Sequence, residues 1–259
     1  MKMIKQIVRV GNSAGIILPK EWLNGKAKVE LIEKPLDLKR ELFEILSEYL
    51  KDIGGIYLVG SYGRGDETNK SDVDVFVITN KTNKRIVEGK YNLILISKEN
   101  LEKSIQNNAL PLLPMILEAR TILNDNTLSN YKKYKLTSKN LDFYFNAVKS
   151  ALNVCKETIK IDKTDNKKTT DSSIAYSLVL NIRSVYIIDS IIKNKKWSTN
   201  GLLTLIKRIA GSLDVYKNYL EIKNNKKTKK EISIDVAEKL ILYIENNLER
   251  HEKWAKKRN

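Results

Sequence analysis

In the stretch VGSYGRGDETNKSDVDVFVI, residues 59–78, a short apolar run ends in Gly60-Ser61, and after a polar loop Asp72 and Asp74 open an alternating apolar run. On a strand, that alternation sends Asp72 and Asp74 to one face while Val73 and Val75 turn to the core. Two carboxylates at this spacing repel each other unless a cation sits between them. Hard divalent cations such as Mg²⁺ take carboxylate oxygens and keep positions open for phosphate. A turn with Gly60, Ser61 and Gly63 is expected to present backbone N–H groups with little steric cover, which suits a polyphosphate tail. Arg64 can add charge-assisted bonds to that tail. Metal ligands beside a phosphate cradle point to phosphoryl or nucleotidyl transfer.

The elements that must position these residues can be read from the periodicity. Residues 38–53, LKRELFEILSEYLKDI, predict an amphipathic helix that Gly54-Gly55 ends. Strands are expected at 56–59, 73–79 and 93–97, then a helix from Ser97, a plausible N-cap, and another over MILEARTIL, 115–123. Together these make a small α/β layer. Beyond about Ser138 no strand pattern remains, and helices are expected near 138–160, 171–194, 198–210, 212–222 and 234–256. Ahead of the α/β layer, residues 4–33 read as two short strands, IKQIVRVG and KAKVELIE, around NSAGIILPKEWLNG. Two short strands cannot bury a core alone, so this segment needs a partner, most simply a second copy of itself. The division expected is 1–35, 36–130 and 131–259. No internal repeat is visible.

Composition narrows the chemistry. The chain has 259 residues, one Cys (Cys155) and one His (His251). A disulfide within the chain, a cysteine-rich zinc site, a His-based metal site and a His-relayed nucleophile therefore have nothing to build on. No secretory signal pattern and no long uncharged apolar run are evident, so the expected location is cytoplasmic. Net charge is +16, which favours anionic partners such as nucleotide, DNA or RNA. Of the 47 basic residues only 9 are Arg, and a Lys- and Asn-rich composition also follows from an AT-rich genome.

GSYGRGDETNKSDVDV, residues 60–75, resembles the signature of the DNA polymerase β nucleotidyltransferase superfamily, in its minimal nucleotidyltransferase branch. The resemblance covers roughly residues 38–125. It implies that Asp72 and Asp74 bind Mg²⁺ or Mn²⁺, that Gly60 and Ser61 hold the phosphates, and that Arg64 steadies the loop or the phosphates. The reaction implied is attack of an acceptor hydroxyl, on a protein, an RNA or a small molecule, at the α-phosphate of a nucleoside triphosphate, with pyrophosphate leaving. The family places a third carboxylate on the following strand, in a segment like vDlvi. Here that strand reads YNLILIS and Asn92 takes the slot, with Glu88 and Glu118 as possible substitutes in space. Asn is neither a base nor as good a metal ligand as Asp.

The flanks carry weaker signals. IKQIVRVGNSAGIILPKEWLNGKAKVELIE resembles the swapped-hairpin domain of AbrB- and MazE-type regulators, which implies a homodimer through residues 1–35. Lys5, Arg9, Lys20, Lys26 and Lys28 are then candidates for phosphate contact with DNA. The helical region resembles in outline the substrate-binding domains of kanamycin-type nucleotidyltransferases, and Tyr176, Arg183 and Tyr186 could line a cleft. The adjacent Arg250 and His251 lack the spacing of HEPN nucleases, and Trp197 and Trp254 receive no role. The fold class expected is multidomain α+β: a swapped-hairpin β module, a polymerase-β-like α/β core and a C-terminal helical bundle. The function expected is a metal-dependent nucleotidyltransferase. The alternative is a DNA-binding regulator or antitoxin, with a toxin protein as partner and a catalytically degenerate core.

Overall fold

A computed structural model of the chain describes residues 3–30, 37–69, 71–224 and 231–258. It divides into two compact units, Met1–Glu41 and Leu42–Asn259. In the first, β1 (Ile7–Val10) pairs antiparallel with β2 (Ser13–Ile16), and Val10 faces Ser13 across the Gly11-Asn12 turn. The chain therefore doubles back at once, within the segment expected to separate two strands. The second expected strand is not seen: residues 26–30 have no regular structure, and 31–33 lie outside the described residues. None of residues 3–30 is buried, and Ile4, Ile7, Val10, Ile17, Leu18, Leu23 and Val29 are exposed.

Helix α1 (Leu38–Ile45) is followed by a 3₁₀ turn at Ser47–Tyr49, so the single helix expected over 38–53 is broken. Gly54-Gly55, expected to stop it, lies inside β3 (Ile53–Leu58). The reason is steric. A Cβ on Gly55 would lie 1.9 Å from the Tyr57 hydroxyl, so only glycine lets that side chain lie back over the strand.

The second unit is built on a mixed sheet. After β3 comes the single-turn α2 (Gly60–Arg64), then β4 (Val73–Thr79), β5 (Lys84–Glu88) and β6 (Tyr91–Ser97). Helices α3 (Lys98–Asn107) and α4 (Leu112–Glu118) lead to β7 (Arg120–Leu123) and α5 (Asp125–Tyr131). Strand order is β5-β6-β4-β3-β7, with β4 and β6 parallel and every other pair antiparallel. The expected N-cap holds: the Ser97 hydroxyl accepts from the Asn100 amide. β5 and β7 were not expected. KRIVE is a charged edge strand with no buried residue, and TIL continues an apolar run out of α4.

Both faces of β4 are buried. Val73, Val75 and Val77 share one face with Ile56, Leu58, Leu93 and Leu95, as the register requires. Phe76 and Ile78, on the face that carries Asp74, pack with Leu101, Ile105, Ile116 and Leu128 from α3, α4 and α5. The aspartate-bearing face is thus a core face whose open end holds Asp74, rather than a wholly solvated one.

The rest is helical: α6 (Ser138–Thr164), α7 (Ser172–Ile192), α8 (Thr199–Ala210), α9 (Asp214–Lys223) and α10 (Ile234–Lys256). A two-residue bridge, β8 (Thr169–Thr170) with β9 (Ile232–Ser233), interrupts the expected all-helical pattern. One core runs from Ala109 and Leu113 through all five helices. Antiparallel α6 and α10 are joined by Lys149–Glu252, Lys156–Glu245 and Lys163–Glu238, each step seven residues along both helices. Among the described residues α7 alone is long and apolar enough to cross a membrane by length and composition, although Arg183 and Asp189 interrupt its apolar run. Ala175, Leu178, Val179, Ile182, Val185 and Ile188 on it lie in this core.

His251 is enclosed here. Its Nδ1 lies 3.1 Å from the Tyr144 hydroxyl and its Nε2 3.6 Å from Asp189. Burial pushes its pKa down to about 4, despite the Asp189 carboxylate, with Arg250 and Lys193 also opposing a charge. The unfolded chain then binds a proton first as pH falls below the ordinary histidine value, so stability falls over that interval. Between pH 7 and pH 5 this residue is expected to remove about 2 kcal/mol of unfolding free energy. Urea unfolding at the two pH values should show that loss, and His251→Leu should flatten it.

Candidate active site

All five strands of the main sheet deliver a residue to one end. Gly60 follows β3, Asp72 and Asp74 open β4, Asn92 is near the start of β6, Arg85 lies on β5, and Glu118 precedes β7. Asp74 is half-buried and Asp72, just ahead of the strand, is exposed. Gly60 sits at φ +63 against Asp74: a Cβ there would lie 2.6 Å from Asp74 Oδ2. Two requirements, a left-handed backbone and the space of the carboxylate, thus demand glycine at one position. Gly60→Ala is expected to displace Asp74 and weaken Mn²⁺ binding at least tenfold, readable by calorimetric titration of the metal.

The loop after Gly60 is tied down by Glu118. Gly60 N–H donates to Glu118 Oε1 at 2.7 Å, while Arg64 Nη1 and Trp197 Nε1 donate to Oε2 at 2.9 and 2.8 Å. Arg64 Nη2 also lies 3.1 Å from Asp66 Oδ1, and Asp66 Oδ2 accepts from the Thr199 amide at 2.7 Å. Burial disfavours the Arg64 charge, but Glu118 and Asp66 more than offset it and hold the group above the ordinary arginine value. Burial likewise raises the Asp66 carboxyl, and the Thr199 amide and Arg64 bring it below the usual range. The turn between α7 and α8 thus clamps the Gly-Ser loop. Trp197 was given no role from sequence, and no local signal marks it, since its partner is 79 positions away.

Asn92, which the resemblance sets where the family carries a third carboxylate, is directly opposite Asp74 in the β4–β6 register. Its Nδ2 donates to Asp74 Oδ1 at 2.8 Å, and its Oδ1 accepts from Arg85 Nε at 3.0 Å. Neither glutamate stands in for the missing acid. Glu88 pairs with Tyr91 and so points to the opposite face of β5 from Arg85 and Val87, and Glu118 is taken by three donors. Among the described residues no cluster of three or more His, Cys, Asp or Glu could hold a metal. The donor set that remains, two hard carboxylates, suits one divalent cation completed by substrate phosphate oxygens.

The other sequence candidates lie elsewhere. Lys5, Arg9 and Lys20 are exposed on the first unit, where Arg9 Nε bonds the Gly11 carbonyl at 2.9 Å. Tyr176 stacks on Tyr219 at 5.3 Å within the helical core, Arg183 is exposed, and the Tyr186 hydroxyl accepts from Ser198 N–H at 3.4 Å, beside the clamping turn. Only Tyr186 of the three approaches the site.

The Gly-Ser turn after β3 and the Asp-x-Asp of β4 thus meet across adjacent strands of one mixed sheet. Residues 39–126, about a third of the chain, match the family model described as Nucleotidyltransferase domain. The chain is 16% identical to the structure of a nucleotidyltransferase-like protein from Exiguobacterium sibiricum, covering 82% of this chain and 75% of that one, with a TM-score of 0.37. It is 14% identical to a spectinomycin adenyltransferase from Enterococcus faecialis solved with ATP and spectinomycin, covering 81% and 97%, with a TM-score of 0.41. A search of curated proteins gave no match.

Proposed function

We propose that this protein is a metal-dependent nucleotidyltransferase that moves a nucleoside monophosphate from a nucleoside triphosphate to an acceptor oxygen. The observation that carries the reading is Asp74 packed against Gly60 inside the matched domain. Asp72 and Asp74 would hold Mg²⁺ or Mn²⁺, which neutralises triphosphate charge when bound. Asn92 orients Asp74 through its amide. The Gly60 amide and Arg64 are committed to Glu118, so Arg64 steadies the loop and contact with the phosphates falls to Ser61, part-buried at the start of α2. Each of the four α-labelled triphosphates, incubated with the protein, Mg²⁺ and cell extract, tests the reading. Label on a distinct acceptor is expected with at least one; its absence with all four, in Mg²⁺ and Mn²⁺, would contradict it.

We further propose that residues 1–35 pair with a second copy to make a homodimer, and that the protein acts in the cytoplasm. Seven exposed apolar side chains and the absence of any buried residue among 3–30 support this. The regulator reading draws on Asn92 in place of a carboxylate and on the exposed Lys5, Arg9 and Lys20. It predicts salt-sensitive duplex DNA binding without transfer of label.

A further inference from the structure

The resemblance implies a hydroxyl acceptor, whose proton must go to a base. Among the described residues, on the face that carries Asp74, β5 and β6 hold no carboxylate and no imidazole. Displacement at the α-phosphate is in line, so the nucleophile enters opposite the departing pyrophosphate. The Gly60-Ser61 turn follows β3, on one side of Asp74; Asn92 on β6 and Arg85 on β5 lie on the other. At the usual strand spacing, β3 and β5 are about 14 Å apart with Asp74 between them. With the triphosphate on the β3 side, the acceptor comes from the β5–β6 side.

What that side presents is an amide, a guanidinium and an exposed apolar residue. Asn92 replaces the carboxylate, and the Arg85 guanidinium is linked to it through Nε. Among the described residues the Nη groups of Arg85 make no hydrogen bond or ion pair, and Val87, directly opposite Asn92, is 67% exposed. A cation here in place of an acid repels a protonated base and attracts an anion.

We propose that the acceptor is an oxyanion, a phosphate or a carboxylate, bound by Arg85 beside Asp74. This rests on the transferase reading and names its substrate class. The acceptor O⁻ forms a bond to the α-phosphorus. The bond from that phosphorus to the bridging oxygen breaks, and pyrophosphate leaves with the electron pair; no proton has to be removed. The product is a pyrophosphate linkage when the acceptor is a phosphate and an acyl phosphate anhydride when it is a carboxylate.

Two measurements on the full chain test this. First, the linkage formed from α-labelled triphosphate in cell extract is probed chemically. Release of label by a pyrophosphate-cleaving hydrolase identifies a phosphate acceptor and release by neutral hydroxylamine a carboxylate, and either supports the proposal. A linkage resistant to both joins the label to a hydroxyl or a nitrogen, which overturns the proposal and leaves nucleotidyl transfer itself standing. Second, inorganic phosphate is titrated into wild type and Arg85→Gln, following binding by NMR. At least fivefold weaker binding in the variant is expected, whereas equal affinity overturns the proposal. Absence of label together with Arg85-dependent phosphate binding would take down the transferase reading and retain the anion subsite.

Discussion

Asp74→Asn is expected to reduce nucleotidyl transfer about a thousandfold, roughly 4 kcal/mol of barrier, while the urea midpoint of the second unit stays near wild type. The two effects separate because the substitution keeps shape and one acceptor oxygen. Asn92 can still donate to that oxygen, and the space against Gly60 remains filled. What is lost is a negative charge at the point where the triphosphate and its cation meet. Label transfer and urea unfolding on the same preparation check both halves. Asp72→Asn should follow in the same direction with a smaller effect, since Asp72 is exposed and lies ahead of β4.

Glu118→Ala should show the opposite pattern, with a large loss of stability as well as activity. It leaves the Gly60 amide, the Trp197 indole and one face of the Arg64 guanidinium without their acceptor. The side chains of Glu118 and Arg64 are 8% and 13% exposed, so solvent does little to compensate. Breaking such a pair costs about 3 kcal/mol. Glu118→Gln keeps one acceptor oxygen but turns an NH₂ donor toward either the Gly60 amide or the Arg64 and Trp197 donors, so a loss between those of Glu118→Ala and Trp197→Phe is expected, about 2 kcal/mol. Trp197→Phe, which removes one donor and leaves Glu118 its other two, should cost the least, about 1 kcal/mol. Urea midpoints should fall in that order. Trp197→Phe should also slow transfer, because the loop that carries Gly60 and Ser61 is held from the helical side.

The elements legible in the sequence are those whose periodicity is strong and self-contained. β4 at Val73–Thr79 and α10 at Ile234–Lys256 lie where alternation and helical spacing put them. β5 was missed because an edge strand with one part-buried residue has no apolar alternation to read. β7 was missed because its Thr-Ile-Leu continues the apolar run of α4, and strand and helix share that pattern over three residues. The hairpin of the first unit was misplaced because Gly11-Asn12 can separate two regions or join two strands directly, and only the backbone shows which.

The site divides in the same way. Asp72, Asp74, Gly60, Ser61 and Arg64 stand close in sequence in a spacing the chemistry demands, so they could be found together. That Asn92 faces Asp74 follows from the parallel register of β4 and β6. The clamp could not be read. Glu118 reaches Gly60 across 58 positions, and Thr199 reaches Asp66 across 133. The same register sends Glu88 to the other face, a point that hinges on a strand the periodicity does not reveal.

The central claim is that the α-phosphate of a nucleoside triphosphate is the group attacked at Asp72 and Asp74. Parallel reactions with α-labelled and γ-labelled triphosphate in the presence of Mg²⁺ and cell extract test it most directly. The account predicts that α-label is carried to an acceptor while γ-label leaves in pyrophosphate, in equal amounts, and that Asp74→Asn lowers both about a thousandfold. Transfer of the γ-label to an acceptor, with the α-label left on a nucleoside diphosphate, would contradict it.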